Sequence, residues 1–208
     1  MSYNPYLKVV DSKQLMETFK SIWLDVCVEQ TYESEDFHTK ETGMHVLIKD
    51  ENGEFAGTAE IGRYIKNETS TVQFYFDFSQ IEEIAKDMEN TYEVDKVCLT
   101  SENRGKGLLL NAFYVMLFHH FITDSSYYVA AIEWKFYRAL RNYYHVPLIG
   151  YGKRQRYNDF YLQPMMVNIK EFVNQLKTNN PFDLNIEFIE KLAKEYKERT
   201  LNGGFISK

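Results

Sequence analysis

The sequence predicts a single α+β domain, with strands and helices alternating up to residue 168 and helices alone from 169 to 208. Three observations carry that prediction. Short apolar or aromatic runs with strand patterning alternate with segments of helical period. Two of these runs flank Glu51-Asn52-Gly53, a hairpin turn signal. Beyond Asn168 only helical periodicity remains. The 208 residues suffice to bury a core unaided. No repeat, low-complexity tract or long linker divides them, so 169–208 is expected to pack as a helical appendage on the domain formed by 1–168.

A strand at 6–10 opens the chain, and a helix follows in which Leu15, Phe19, Ile22, Trp23 and Val26 keep helical spacing. Asp11 and Gln14 resemble a capping box at its start. The hairpin pairs 44–48 with 54–61. The alternation from Thr71 to Phe78 reads as a strand, and Ser79 with Glu82 reads as a capping box for a helix reaching about Asn90. Residues 92–100 form a buried strand that empties through a short glycine-containing loop into a helix over 108–122. That helix is apolar nearly all round, the mark of one inside a core. A strand at 127–132 precedes a helix with Phe136, Ala139, Leu140 and Tyr143 on one face. Strands at 148–151 and 160–167 flank the basic run Lys153-Arg154-Gln155-Arg156. Pro181 separates two final amphipathic helices, one built on Ile169, Phe172, Val173 and Leu176, the other on Ile186, Ile189, Leu192, Ala193 and Tyr196.

Composition narrows the function. Thirty acids against 24 bases give a net charge of -6, so there is no global basic field for nucleic acid or an anionic membrane. Cys27 and Cys98 lie far apart in apolar contexts and are expected to be reduced core residues, too few for a disulfide scaffold or zinc cluster. The chain opens without the pattern of a signal peptide, and its longest apolar stretch is short for a membrane span, which predicts a cytoplasmic protein without stable membrane insertion. His119 and His120 are adjacent on one helix and face different directions, so no shared metal site is expected there. His38 and His45 are isolated in sequence.

The most informative stretch is Val97-Cys-Leu-Thr-Ser-Glu-Asn-Arg104-Gly-Lys-Gly107-Leu-Leu. A strand here empties into Arg104, Gly105, Lys106 and Gly107 at the start of a helix. Glycines let a backbone approach an anion closely, and first-turn amides are unpaired donors aligned with the helix dipole. Arg104 and Lys106 add full charges. The same residues also make a tight strand-to-helix turn with two solvated basic side chains, and the loop alone does not separate the two readings.

From Val97 to Leu109 the chain resembles the acyl-CoA motif of the GNAT superfamily of N-acyltransferases, an apolar strand followed by Arg-x-x-Gly-x-Gly/Ala and a helix. Leu109 stands where the last small residue is expected. The resemblance implies a central, mostly antiparallel mixed sheet flanked by helices, with acyl-CoA or acetyl-CoA as co-substrate and no metal. It implies that the strand around Val97, Cys98 and Leu99 receives the pantetheine arm, and that Arg104, Gly105, Lys106, Gly107 and Leu108 form the diphosphate loop. Within that superfamily, Val26-Cys-Val-Glu-Gln-Thr-Tyr32, Glu93-Val-Asp-Lys96, the segment 133–141, Pro147-Leu-Ile-Gly150 and Tyr157-Asn-Asp resemble the acyl-homoserine-lactone synthases and N-acyl amino acid synthases. The Glu93 stretch carries Lys96 where their signature has Arg.

That resemblance makes Glu93 the candidate general base, working through water, and Tyr137 and Tyr143 the candidate acids for the leaving thiolate. Each has a bland alternative. Glu93 with Lys96 can form an ordinary ion pair, and most of the 16 tyrosines serve packing. The subgroup carries an Arg on the strand after the hairpin, where this chain has Glu60, so Glu60 is the candidate contact for a cationic amine acceptor. Paired acids after the first helix are echoed by Glu35, Asp36 and Glu41. The basic run at 153–156 reads first as a solvated turn, and its functional alternative is a dock for an acidic acyl carrier protein. Phe74, Tyr75, Phe76 and Phe78 suit either an acyl tunnel or ordinary core, and core is favoured. The reading is an N-acyltransferase that acylates a primary amine of a small molecule or protein. Its rival is a non-catalytic module of the same fold that binds CoA or a protein partner. The amphipathic pattern of the helices after Ile169 fits either pairing across a homodimer or covering the active-site mouth.

Overall fold

The hairpin around Gly53 lies inside an eight-stranded sheet. The computed structural model describes residues 5–30, 32, 38–40, 42–66, 70–108 and 110–202. In chain order the elements are β1 (Leu7–Val9), α1 (Lys13–Glu29), β2 (Met44–Lys49), β3 (Phe55–Arg63), α2 (Glu82–Lys86), β4 (Thr91–Leu99), α3 (Leu110–Thr123), β5 (Tyr127–Glu133), α4 (Trp134–Asn142), β6 (Leu148–Gly150), β7 (Gln155–Tyr157), β8 (Phe160–Asn168), α5 (Ile169–Thr178) and α6 (Ile186–Asn202). The strands run in the order β1-β2-β3-β4-β5-β8-β6, with β7 paired to β8 off that path. Every pairing is antiparallel except β4 with β5.

Strand alternation sorts side chains onto two faces. Val46, Ile48, Ala59 and Ile61 share one core with Phe113, Leu117, Tyr137, Leu140 and Val167, so α3 and α4 cover that face. Phe172, Phe182, Ile186, Ile189 and Leu192 belong to the same core, which is how α5 and α6 pack onto α3. On the opposite face α1 lies over β2 to β4, with the Phe19 ring edge-on to His45 at 5.4 Å. A smaller core of Tyr64, Val72, Phe78, Ile84, Val129 and Met166 continues that face.

Four local readings are corrected. The alternation 71–78 is two 3-10 turns, Thr71–Phe74 and Phe78–Gln80, and no strand. Val72 and Phe78 point into the small core while Phe74 is 70% exposed, so the period that suggested a strand comes from two anchors joined by a turn. Ser79 caps no helix: α2 follows Ile81 without a side-chain cap, and Asp77 caps the second 3-10 turn, its carboxylate accepting from the Ser79 N–H at 3.0 Å and hydroxyl at 2.6 Å. The helix expected to reach Asn90 stops at Lys86, and Met88–Asn90 forms a further 3-10 turn. Ser12 rather than Asp11 caps α1, accepting from the Leu15 N–H at 3.3 Å. A short strand absent from the sequence reading, β7, folds the basic run back on β8.

Among the described residues no helix is long and apolar enough to cross a membrane, and no group of three or more His, Cys, Asp or Glu is placed to hold a metal. His119 and His120 are core residues. His119 Nδ1 lies 2.7 Å from the Tyr128 hydroxyl, and His120 Nδ1 lies 2.9 Å from the Ser125 carbonyl. Both cysteines are free and buried, as expected.

Candidate functional site

The parallel pairing of β4 with β5 lasts only from Thr91 opposite Tyr127 to Glu93 opposite Val129. Beyond it β4 stays with β3 as far as Leu99 and β5 stays with β8 as far as Glu133, so the two strands diverge into an open gap. On the β3 side the register jumps from Thr58 opposite Cys98 to Glu60 opposite Asp95, which leaves Lys96 and Val97 facing Ala59. This is a β-bulge, with Lys96 at φ 48°. The Thr58 hydroxyl donates to the Lys96 carbonyl at 2.7 Å and fixes it. The bulge takes the extra residue of β4 out of the regular ladder with β3.

At the end of β4 the chain passes through Arg104, Gly105, Lys106 and Gly107 to α3. Gly105 and Gly107 have φ of 76° and 78°, and a Cβ at either would meet nothing within 4 Å. Glycine is required there by backbone conformation, and the space around it is open. Among the described residues no acceptor takes the amides of Gly105, Lys106, Gly107 or Leu108. Four consecutive donors at the head of a 14-residue helix suit an anion. Leu109 lies outside the described residues.

The Arg104 side chain is engaged elsewhere. Its Nη1 and Nη2 donate to the Glu29 carboxylate at 2.6 and 2.9 Å, and its Nε donates to the Leu99 carbonyl at 3.1 Å. Arg104 therefore staples the loop to the end of α1, and Lys106 is the loop's uncommitted cation among the described residues. At the same end of α1 the Tyr32 ring lies 6.4 Å from Trp23, 5.9 Å from Tyr157 and 5.5 Å from Phe160. That aromatic cluster ties α1 to the β7–β8 hairpin.

Below the gap, on the α1 face, lies a cluster of charges. Glu60 is wholly buried and already accepts from the Lys40 N–H at 2.6 Å and the Lys96 ammonium at 2.5 Å, with His45 Nε2 at 2.9 Å. Burial alone would raise its carboxyl, but the His45 hydrogen bond and the Lys96 ammonium outweigh burial and hold it near 2. Burial likewise presses the Lys96 ammonium down, and Asp95 and Glu60 more than reverse this, so it stays firmly cationic. Glu60 is wholly buried with three donors already on its carboxylate, and through Lys96 it anchors the bulge.

Glu93 contrasts with it. Its carboxylate is 1% exposed and accepts from the Ser70 hydroxyl at 2.8 Å and the Val72 N–H at 2.9 Å. The Lys40 ammonium stands 3.4 Å away. Burial raises the Glu93 carboxyl above its ordinary value, with the Lys40 charge opposing and the Asp95 charge reinforcing the rise. A carboxylate with raised proton affinity on the motif strand is equipped to take a proton.

The two tyrosines separate. Tyr137 is buried, stacked on Trp134 at 5.5 Å, and its hydroxyl accepts from Arg141 Nη1 at 3.0 Å, which leaves the phenolic hydrogen available. It belongs to the α3 face, opposite Glu93. Tyr143 is 76% exposed at the end of α4, against Tyr144. Phe76 and Phe78 pack with Tyr151 and Tyr64 as core. Burial pushes the Cys98 thiol up, and burial with the neighbouring Cys98 pushes Cys27 to about 11, so neither is a thiolate nucleophile at neutral pH. Glu35, Asp36 and Glu41 lie outside the described residues. An open cleft of about 540 Å³ is lined by Gly152, Lys153, Arg154, Tyr161 and Gln163, with Arg154 stacked 4.3 Å over Trp134.

Sequence reasoning gave no site role to Lys40, His45, Asp95 or Glu29. The hairpin register contained one signal, since folding at Gly53 sets His45 opposite Glu60. Nothing local marked Lys40.

No family model matches the sequence, and no curated protein does. Solved structures do match. FeeM, an N-acyl amino acid synthase from uncultured soil microbes, aligns at 13% identity and TM-score 0.59 over 81% of this chain and 93% of its own. BjaI, a CoA-dependent acyl-homoserine lactone synthase solved with SAM and isopentyl-CoA, aligns at 10% identity and TM-score 0.60 over 91% and 100%. A chimera of the spermidine N-acetyltransferase SpeG from Vibrio cholerae and hSSAT aligns at 14% identity and TM-score 0.52 over 81% and 99%. The chain has the GNAT fold of N-acyltransferases, a mixed sheet flanked by helices.

Proposed function

We propose that this protein is an N-acyltransferase that moves an acyl group from acyl-CoA to a primary amine. The observation that carries the reading is the joint placement of the diverging β4–β5 gap, the open amides of 105–108 beside it and the buried Glu93 carboxylate below it. The amides and Lys106 suit a diphosphate, and the gap suits an extended pantetheine arm. Glu93 takes a proton from the acceptor ammonium, through a water. The neutral amine attacks the thioester carbon, the C–S bond breaks, and the second amine proton leaves as the amide forms. Tyr137, on the other face of the sheet, supplies a proton to the departing thiolate and is reprotonated from solvent. The sum is ammonium plus thioester giving amide, free thiol and one proton. The high proton affinity of both cysteine thiols supports direct transfer over an acyl-enzyme.

A carrier-protein donor is the variant with a surface to meet. Lys135, Arg138, Lys153, Arg154 and Arg156 are exposed and have no carboxylate partner among the described residues of an otherwise acidic chain.

Thermal unfolding with CoA, acetyl-CoA and longer acyl-CoAs tests the donor site, because a ligand of the folded state raises the midpoint. A rise with CoA species supports the reading. No rise at saturating CoA overturns it for CoA donors, and a rise without thiol release for any amine favours the binding module.

A further inference from the structure

Lys40 reaches the site from a segment in which the sequence carries no motif. Its backbone N–H donates to Glu60 at 2.6 Å, and its ammonium stands 3.4 Å from Glu93 Oε2 and 3.8 Å from Asp95 Oδ2. The side chain is 10% exposed. Its aliphatic stem crosses β3 at Gly62, where an added Cβ would lie 2.1 Å from Lys40 Cδ and 3.0 Å from Lys40 Cβ. The stem and a side chain at position 62 exclude one another, so the glycine and the lysine form one device.

The groups facing Glu93 define what that device does. Asp95 and Lys96 come from β4, Glu60 from β3, His45 from β2, Ser70 and Thr71 from the turn above, and the apolar Val129 from β5. Lys96 is committed to Glu60 at 2.5 Å and Asp95 at 3.3 Å. Ser70 and Val72 offer neutral dipoles. Among the described residues Lys40 is the one cation within 4 Å of the Glu93 carboxylate.

We infer that Lys40 is a positioning residue, laid across Gly62 so that its ammonium stands against the Glu93 carboxylate and favours its ionised, proton-accepting form. This rests on the reading of Glu93 as the base. An opposite charge at this range lowers a carboxyl by about one to three pH units, and no other cation stands as close to offset burial.

The experiment follows the Glu93 carboxyl directly, by 13C NMR titration of protein labelled at the glutamate carboxyl, with Glu93→Gln to assign the signal. The midpoint is expected to rise by about one pH unit or more in Lys40→Met and to return toward native in Lys40→Arg. The acidic limb of kcat/KM is expected to move with it. Gly62→Ala displaces the stem, and with it the ammonium, without removing any charged group, and it is expected to raise the midpoint too. It decides the matter if Lys40→Met does not fold. An unmoved midpoint in the folded variant overturns the inference. Turnover that survives Glu93→Gln overturns the base assignment instead, while the titration still reports what Lys40 does.

Discussion

At the head of α3 the site presents backbone amides and one lysine to open space, whereas a few residues upstream on β4 it holds six ionisable side chains, His45, Lys40, Glu60, Glu93, Asp95 and Lys96, packed under α1. The first region is built from contiguous residues whose geometry two glycines set. The second is assembled from β2, β3, β4 and the segment preceding β2, and each charge there depends on the others. Their energetics differ accordingly. The Glu29–Arg104 pair beside the loop is more than a third exposed on both sides, and solvent screens it. The Glu60–Lys96 pair is buried, so removing either partner strands a charge. The first region is expected to tolerate change, and the second is not.

Four substitutions break or sharpen that contrast. Glu93→Gln is expected to lower thiol release by about 10²- to 10⁴-fold, the usual worth of a positioned base, while the unfolding midpoint still rises with CoA. Glu60→Gln is expected to cost about 3–5 kcal/mol of stability in urea unfolding, because Lys96 loses its closest partner. It should also flatten the acid side of the stability profile. Glu60 has a folded value near 2 against an ordinary 4.5, so its contribution is present above about pH 4.5 and is lost as pH falls toward 2. Glu93 acts in the opposite sense. Its raised value makes its contribution full below the ordinary carboxylate range and lost as pH rises through the folded value.

The loop substitutions are smaller. Gly107→Ala forces an L-residue into positive φ and is expected to cost about 1–2 kcal/mol, with a reduced midpoint rise on CoA addition. Glu29→Gln is expected to change stability by less than about 1 kcal/mol. By releasing Arg104 it should tighten CoA binding in calorimetry, more so at low salt.

The same contrast explains what sequence could reveal. The loop was legible because a strand end, two glycines and a helix start are adjacent in the chain and each leaves a local mark. The hairpin was legible for the same reason. Glu93 could be singled out by resemblance, yet its setting could not, since Ser70, Val72 and Lys40 reach it from separate segments. The burial of Glu60 was not legible, since it comes from the register with His45 and the bulge at Lys96. The pairing of Arg104 with Glu29 was not legible, since the two lie far apart in the chain. Alternation misled at 71–78 because two buried anchors, Val72 and Phe78, were joined by turns with the spacing of a strand.

The most direct test of the central claim is thiol release from acetyl-CoA and longer acyl-CoAs by the native protein across a panel of primary amines, beside Glu93→Gln. Release that depends on both amine and acyl-CoA, and that collapses in the variant, is the predicted result. CoA binding with no amine-dependent thiol from any donor would contradict it.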